Sequence, residues 1–276
     1  MQDQYAVIGH PVSHSRSPWI HSEFALQLAE PLVYSLLDAK PDAFEQTVQQ
    51  FREQGGRGLN VTVPFKQEAW AMVDQLSDHA QLAGAVNTLS FLSDGTVRGD
   101  NTDGVGLVRD LMQHQGVTLA NKRVLILGAG GAVRGVIQPI LEQTPSTLHI
   151  VNRTPEKALE LAKVFADYGE VSAGGYDELA TLGAYDVIIN GTASSLGGEL
   201  PPLVASILAE HCHAYDMMYA PEPTVFERWC QEQGAGSVSN GLGMLVEQAA
   251  ESFYIWRGVR PNTAEILRRL KAEIAA

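Results

Sequence analysis

One segment constrains this chain more than any other: Arg123-Val124-Leu125-Ile126-Leu127, followed at once by Gly128-Ala129-Gly130-Gly131-Ala132. A short apolar run without polar alternation reads as a strand buried on both faces. The glycines read as a tight turn, and the residues after them as a helix. Strand, glycine loop and helix, in that order, form the context of a dinucleotide-binding fingerprint. Glycines let backbone approach a pyrophosphate, and the helix N-terminus offers N–H donors and the positive end of its dipole. The third fingerprint position, usually Gly or Ala, is Val133. On the loop alone, a tight β–α turn without a ligand is the alternative.

The pattern around the loop repeats strand and helix. Residues 148–151 read as a second strand, 155–168 as a helix, 185–190 as a strand and 214–216 as a shorter one. Such alternation predicts a doubly wound parallel sheet. Before it, residues 18–28, 42–54 and a segment after Pro64 read as helices. Residues 33–37 and 59–63 read as strands, and 85–97 as a hairpin turning at Ser93-Asp94-Gly95. A helix is predicted over 104–115, and a last long one over 241–256. The last one carries an apolar stripe, Leu242, Leu245, Val246, Ala249 and Phe253, that returns it to the first domain. The expected class is therefore α/β with two domains. Residues 1–103 plus 241–276 form an open α/β domain, residues 104–240 an inserted Rossmann-like domain, and a hinge is expected near 103 and 241.

The end of the second strand bears on the cofactor. An NAD site usually places a carboxylate there to bond the ribose 2′-hydroxyl. This strand ends Val151-Asn152-Arg153-Thr154. The permanently charged, planar fork of Arg153 suits a 2′-phosphate, and Arg134 and Lys157 are available to add to it. NADP is favoured over NAD.

Composition excludes several classes. The net charge of −13 and pI near 5.0 argue against a general nucleic-acid binder. Two cysteines, Cys212 and Cys230, are too few for a disulfide scaffold or a common zinc pattern. His211-Cys212-His213 sits on an extended segment whose side chains alternate in direction, so no metal is expected. No apolar run approaches the ~18 residues of a membrane span, and residues 5–9 read as a strand rather than a leader. A soluble cytoplasmic protein is expected.

Three polar segments in the first hundred or so residues exceed what packing needs: Ser13-His14-Ser15-Arg16-Ser17-Pro18, Asn60-Val61-Thr62-Val63-Pro64-Phe65-Lys66 and Asp100-Asn101-Thr102-Asp103-Gly104. Ser17-Pro18 is also a good helix start, and Asp103 taken alone reads as an N-cap. In the second segment polar and apolar residues alternate, so one strand face is polar, and Lys66 follows the strand end. A lysine beside a carboxylate can take or give the hydroxyl proton when a secondary alcohol exchanges hydride with nicotinamide. Ser15, Ser17, Asn60, Thr62 and Asn87 can orient a small polyol acid. No Ser-His-Asp or Cys-His hydrolase pattern is evident.

Together these motifs resemble the shikimate dehydrogenase family along essentially the whole chain. The resemblance rests on Gly9-His10-Pro11 with residues 14–18, residues 60–66, Gly84-Ala85-Val86-Asn87-Thr88, Gly99 with residues 100–104, residues 128–132 and Asn152-Arg153-Thr154. It also rests on Tyr215-Asp216-Met217-Met218-Tyr219 and Asn240-Gly241-Leu242-Gly243-Met244-Leu245. Where the family usually reads Asn-Ala-Thr, this chain reads Asn190-Gly191-Thr192. The resemblance implies NADP-dependent interconversion of 3-dehydroshikimate and shikimate in aromatic amino-acid biosynthesis, with Lys66 as acid/base supported by Asp103. It implies a substrate set of Ser15, Ser17, Asn60, Thr62, Lys66, Asn87, Asp103, Tyr219 and Gln248. The implied cofactor set is Asp78, Gly128, Ala129, Gly130, Gly131, Ala132, Asn152, Arg153, Thr154, Lys157, Met217 and Gly241. The expected partners are small molecules, in a monomer or homodimer.

Three alternatives stand beside this reading. One is a quinate/shikimate dehydrogenase that uses NAD, and another a non-catalytic NADPH-binding regulator on the same fold. The third is a related dehydrogenase acting on an aminoshikimate or another cyclic hydroxy acid.

Overall fold

The computed structural model of the protein describes residues 2–192 and 194–274. The chain divides into two compact units, Met1–Gly106 with Val246–Leu270 and Leu107–Leu245 with Lys271–Ala276. The borders at Gly106 and Leu245 fall inside helices, a few residues beyond 103 and 240.

The first unit contains β1 (Asp3–Gly9), α1 (Ser17–Leu28), β2 (Leu32–Asp38), α2 (Phe44–Glu53), β3 (Gly56–Val61) and α3 (Lys66–Met72). It continues with β4 (Gln75–Leu76), α4 (Asp78–Ala83), β5 (Thr88–Phe91) and β6 (Val97–Asp100). Its sheet has the order β2-β1-β3-β5-β6-β4. β2, β1 and β3 run parallel, while the β5–β6 hairpin joins β3 antiparallel. Each element has a local cause. Pro18 fits the first turn of α1, where its missing N–H leaves no bond unmade. In α2 the buried Phe44, Val48 and Phe51 recur on one face and pack with Leu59, Val61, Phe65 and Leu89.

The returning C-terminal helix completes this unit from Val246 onward. Phe253 meets Phe24 edge-on at 5.7 Å, and Trp256 stacks on Tyr5 at 4.5 Å. The Trp256 Nε1–H donates to the Leu89 carbonyl at 3.1 Å. That approach needs Gly58, since a β-carbon there would stand 2.6 Å from Trp256 Nε1. Arg257 clamps the far end through Asp3 and Glu30, each at 2.5 Å.

The remaining elements are α5 (Asp103–Arg109), β7 (Arg123–Leu127), α6 (Gly131–Leu141), β8 (Thr147–Val151), α7 (Pro155–Phe165) and β9 (Val171–Gly174). After them come β10 (Tyr185–Asn190), β11 (Leu208–Asp216), α8 (Val225–Glu232), β12 (Ser237–Asn240), α9 (Leu242–Arg257) and α10 (Thr263–Ile274). The second sheet is parallel throughout, in the order β12-β11-β10-β7-β8-β9. The order reverses between β7 and β10, so the glycine loop after β7 lies at the switch point where doubly wound sheets bind ligands.

Some elements differ from the sequence reading. The helix expected over 104–115 ends as α5 at Arg109, and Asp110–His114 form a wider π-helical turn. The buried Asp110 explains the change: it accepts the Tyr215 hydroxyl at 2.6 Å and the Gln115 amide at 2.9 Å. β11 begins at Leu208, well before the predicted Ala214. α8 went unpredicted although its start carries a readable signal. Thr224 and Glu227 form a capping box, each side chain bonding the other's backbone N–H.

Candidate active site

In the first unit, Lys66 and Asp103 form the central pair. Lys66 opens α3 just past the β3 strand end, and its carbonyl accepts the Val86 N–H at 2.9 Å. Its ammonium donates to Asp103 Oδ2 at 2.5 Å, with the two side chains 30% and 14% exposed. The lysine tip therefore stays reachable while the carboxylate is mostly enclosed. Asp103 opens α5, where Asn101 Oδ1 accepts its N–H at 3.1 Å.

Asn87 fixes the other oxygen of Asp103. Its amide donates to Asp103 Oδ1 at 2.8 Å, to Thr102 Oγ1 at 2.9 Å and to Gln248 Oε1 at 3.4 Å. Its Oδ1 accepts the Thr102 N–H and the Thr88 hydroxyl, both at 2.9 Å. Gln248 reaches this cluster because α5 crosses its helix at Gly106. A β-carbon on Gly106 would stand 2.7 Å from the Gln248 backbone nitrogen.

Asn60 is buried and faces inward. Its Oδ1 accepts the Tyr34 hydroxyl at 2.7 Å, and its amide donates to Ser252 Oγ at 2.9 Å and to the Asn87 carbonyl at 3.2 Å. Ser252, Thr88 and Thr102 thus form a hydrogen-bonded backing for Asn60 and Asn87. Thr88 and Thr102 fall within motifs marked in the sequence, but Ser252 has no signal there, because an isolated Ser on a helix looks like any other. Thr62 follows β3, its N–H donating to the Ile8 carbonyl at 2.9 Å. Ser15 Oγ accepts the Ser17 N–H at 3.3 Å just before α1, and Ser17 is buried.

The second unit holds a cleft of about 660 Å³. It is lined by Gly128, Ala129, Gly130, Gly131, Ala132, Asn152, Arg153, Tyr176, Gly191, Thr192, Ser194, Glu199, Leu200, Pro201, Pro202 and Met218. The loop fits a pyrophosphate. Gly128 has φ +105°, a conformation open to glycine, and β-carbons on Gly130 and Gly131 would project into empty space at the mouth of α6. Arg153 lies on the wall, and β8 ends without a carboxylate. This donor set fits a dinucleotide with a 2′-phosphate. Burial pushes the Tyr176 hydroxyl up to about 12, against the pull of the Arg153 charge.

The other expected cofactor residues are placed less directly. Asn152 Nδ2 donates to the Thr154 carbonyl at 2.9 Å and shapes the turn into α7. Lys157 is exposed on α7. Met217 is buried and packs closely on Gly241, whose β-carbon would stand 2.2 Å from the Met217 carbonyl oxygen. Tyr219 follows in the same unit and is half-buried. Asp78 belongs to the first unit, exposed in the opening turn of α4, where a negative charge favours the helix dipole. The two ring nitrogens of His213 bond Ser237 and Ser239 at 2.7 and 2.8 Å.

Comparison with known proteins decides the family. The description "Shikimate dehydrogenase substrate binding domain" matches residues 7–89, "Shikimate / quinate 5-dehydrogenase" residues 110–197, and "Shikimate 5'-dehydrogenase C-terminal domain" residues 241–271. A shikimate dehydrogenase (NADP(+)) of Cellvibrio japonicus is 54% identical over 275 residues, covering 99% of both chains. The chain belongs to the shikimate dehydrogenase family. Among solved structures, an Ael1 enzyme from Pseudomonas putida superposes with a TM-score of 0.94 at 45% identity, covering 98% of each chain. The shikimate dehydrogenase of Thermus thermophilus, solved in complex with NADP(H) and shikimate, has a TM-score of 0.84 at 33% identity, covering 97% of this chain and 99% of that one. The two-domain α/β fold is shared with these solved structures. Among the described residues no helix is long and apolar enough to cross a membrane.

Proposed function

We propose that this chain catalyses the reversible reduction of 3-dehydroshikimate to shikimate with NADPH, in aromatic amino-acid biosynthesis. The observation that carries the reading is the Lys66–Asp103 pair, 2.5 Å apart and anchored by Asn87, in a member of this family. The proposed cofactor cleft is the one built around Gly128–Gly131 and Arg153 in the second unit.

In this reading the first unit and the returning C-terminal helix form the substrate domain, and the second unit the NADP domain. Ser15 and Ser17 receive the substrate carboxylate. Asn87, Asp103, Thr62 and Gln248 receive its ring hydroxyls, and Asn60 positions Asn87. Tyr219 joins the substrate set on the family resemblance alone. NADPH, when bound, supplies the hydride. Lys66 Nζ delivers the proton to the reduced oxygen, directly or through one water, and Asp103 holds the ammonium in place. In the oxidative direction Lys66 receives the proton. General acid–base assistance of this kind is worth about 10²–10⁴-fold. Gly128, Ala129, Gly130, Gly131 and Ala132 hold the pyrophosphate, and Asn152, Arg153, Thr154 and Lys157 hold the adenosine phosphate end. Met217 and Gly241 support the cleft floor, and Asp78 joins the cofactor set on the family resemblance alone. The chain works in the cytoplasm on small molecules, as a monomer or homodimer.

Initial rates at the NADPH absorbance band test the reading, with shikimate or quinate as substrate and NADP or NAD as acceptor. Turnover of shikimate with strong NADP preference is expected. Preference for quinate or NAD would replace the substrate or cofactor assignment, and no turnover with any pair would overturn the reaction.

A further inference from the structure

The motif Tyr215-Asp216-Met217-Met218-Tyr219 holds a carboxylate that the reaction does not use. Asp216 ends β11 and is fully buried. Its Oδ1 accepts the Met218 N–H at 3.0 Å and the Asn190 amide at 3.2 Å, and its Oδ2 accepts the Thr224 hydroxyl at 2.6 Å. Asn190 ends β10 directly opposite in the sheet register and is equally buried. The Asn190 Oδ1 in turn accepts both the N–H of Thr192 at 3.1 Å and its hydroxyl at 2.7 Å.

Two walls of the cofactor cleft therefore hang from one pair of side chains. Gly191, Thr192 and Met218 all line the cleft. Thr192 is held by Asn190, Asn190 by Asp216, and Met218 by Asp216 directly. The backbone repeats the linkage, with the Met217 N–H donating to the Asn190 carbonyl at 2.9 Å and the Gly241 N–H to the Met218 carbonyl at 3.1 Å. A charged acceptor makes stronger, more directional bonds than a neutral one. Buried at the strand ends, the carboxylate sets the spacing of the two loops without touching the cleft.

We infer that Asp216 is a positioning residue for the cofactor: through Asn190 and Met218 it holds the two loops of the cleft at the spacing NADP requires. This rests on the assignment of the cleft to NADP.

The test is calorimetric titration of the full chain with NADP+, and separately with shikimate, alongside thermal melts. D216A is expected to raise the Kd for NADP+ about tenfold or more, the effect of losing one bond to a charged group. Shikimate affinity should fall less than NADP+ affinity, since Tyr219 alone of the substrate set follows this loop and the others lie in the first unit. D216N is expected to recover most of the loss. Its oxygen can still accept from Met218 and Asn190, and its amide can donate to Thr224. T224V removes the Oδ2 partner and the α8 cap while leaving Oδ1 engaged, so it should lower the melting temperature without changing the NADP+ Kd. Should D216A fail to fold, N190A removes the grip on Thr192 and carries the same expected rise. If the variants lose thermal stability while binding NADP+ like wild type, Asp216 is structural only and the inference fails. If wild type itself does not bind NADP+, the cofactor assignment fails with it.

Discussion

The Cγ2 of Val133, on the first turn of α6, stands 2.3 Å from where a β-carbon on Gly191 would be. In a dinucleotide fingerprint the third small residue allows helix and strand to pack closely. Here that position is Val133, and the missing volume is found across the interface at Gly191. Val133 on α6 and Gly191 just after β10 therefore share one space. The same β-carbon would also lie 3.2 Å from the Met217 sulfur.

Gly191→Ala should consequently destabilise the second unit by about 1–3 kcal/mol, the usual cost of overpacking, because a β-branched side chain in a helix has little rotamer freedom to yield. Adding Val133→Ala should restore most of the loss. A double-mutant cycle by urea denaturation measures this, and additive effects of the two changes would show that they do not share the space.

Lys66→Ala should lower kcat by at least about 10²-fold while leaving NADP+ affinity unchanged. Asp103→Asn keeps the shape but removes the charge that holds the ammonium, so a smaller loss, about tenfold or more, is expected. Steady-state rates with a parallel binding titration check both. A folded Lys66→Ala protein with normal turnover would remove Lys66 from the mechanism.

Arg153→Ser should raise the KM for NADP by about 10–100-fold, the range for lost charge-assisted hydrogen bonds to a phosphate. The KM for NAD, which has no 2′-phosphate, should change by no more than about twofold. Equal losses with both cofactors would move the role of Arg153 from the 2′-phosphate to the adenine or the pyrophosphate.

Burial pulls the His213 imidazole down to about 4, below its ordinary 6.5. Between those values the unfolded chain binds a proton that the folded chain does not. The stability from this group is thus intact above about pH 6.5 and falls as pH drops toward about 4, by about 1.4 kcal/mol per unit. His21, fully buried and pulled to about 3, acts in the same direction. His213→Gln should reduce the stability difference between pH 7.5 and pH 5 by about 2 kcal/mol. An undiminished difference in urea titrations would show that His213 does not drive the acid sensitivity.

Much of this protein follows from local sequence. Apolar runs with no alternation make Arg123–Leu127 and Tyr185–Asn190 strands of a covered parallel sheet, and the structure has them at those bounds. Gly128 and its neighbours announce the β–α turn because few residues other than glycine adopt its backbone angles. Lys66 and Arg153 are visible as polar residues at strand ends, where side chains meet clefts. The Thr224–Glu227 capping box was equally legible and marks a helix the sequence reading missed.

Tertiary structure decided how these parts are joined. The partners of Asp103, Asn60 and Asp216 are set by which strands lie side by side and where helices cross, not by spacing along the chain. Asn87 reaches Asp103 because β5 pairs with β6, Ser252 reaches Asn60 because the C-terminal helix returns, and Asp216 meets Asn190 because β11 lies beside β10. The π-helical turn at Asp110–His114 likewise depends on Tyr215, a residue on another strand. Propensity and periodicity are properties of a local window, whereas hydrogen-bond satisfaction and packing volume belong to the folded whole. For that reason a serine such as Ser252 or a glycine such as Gly191 shows its role only after the chain has closed on itself.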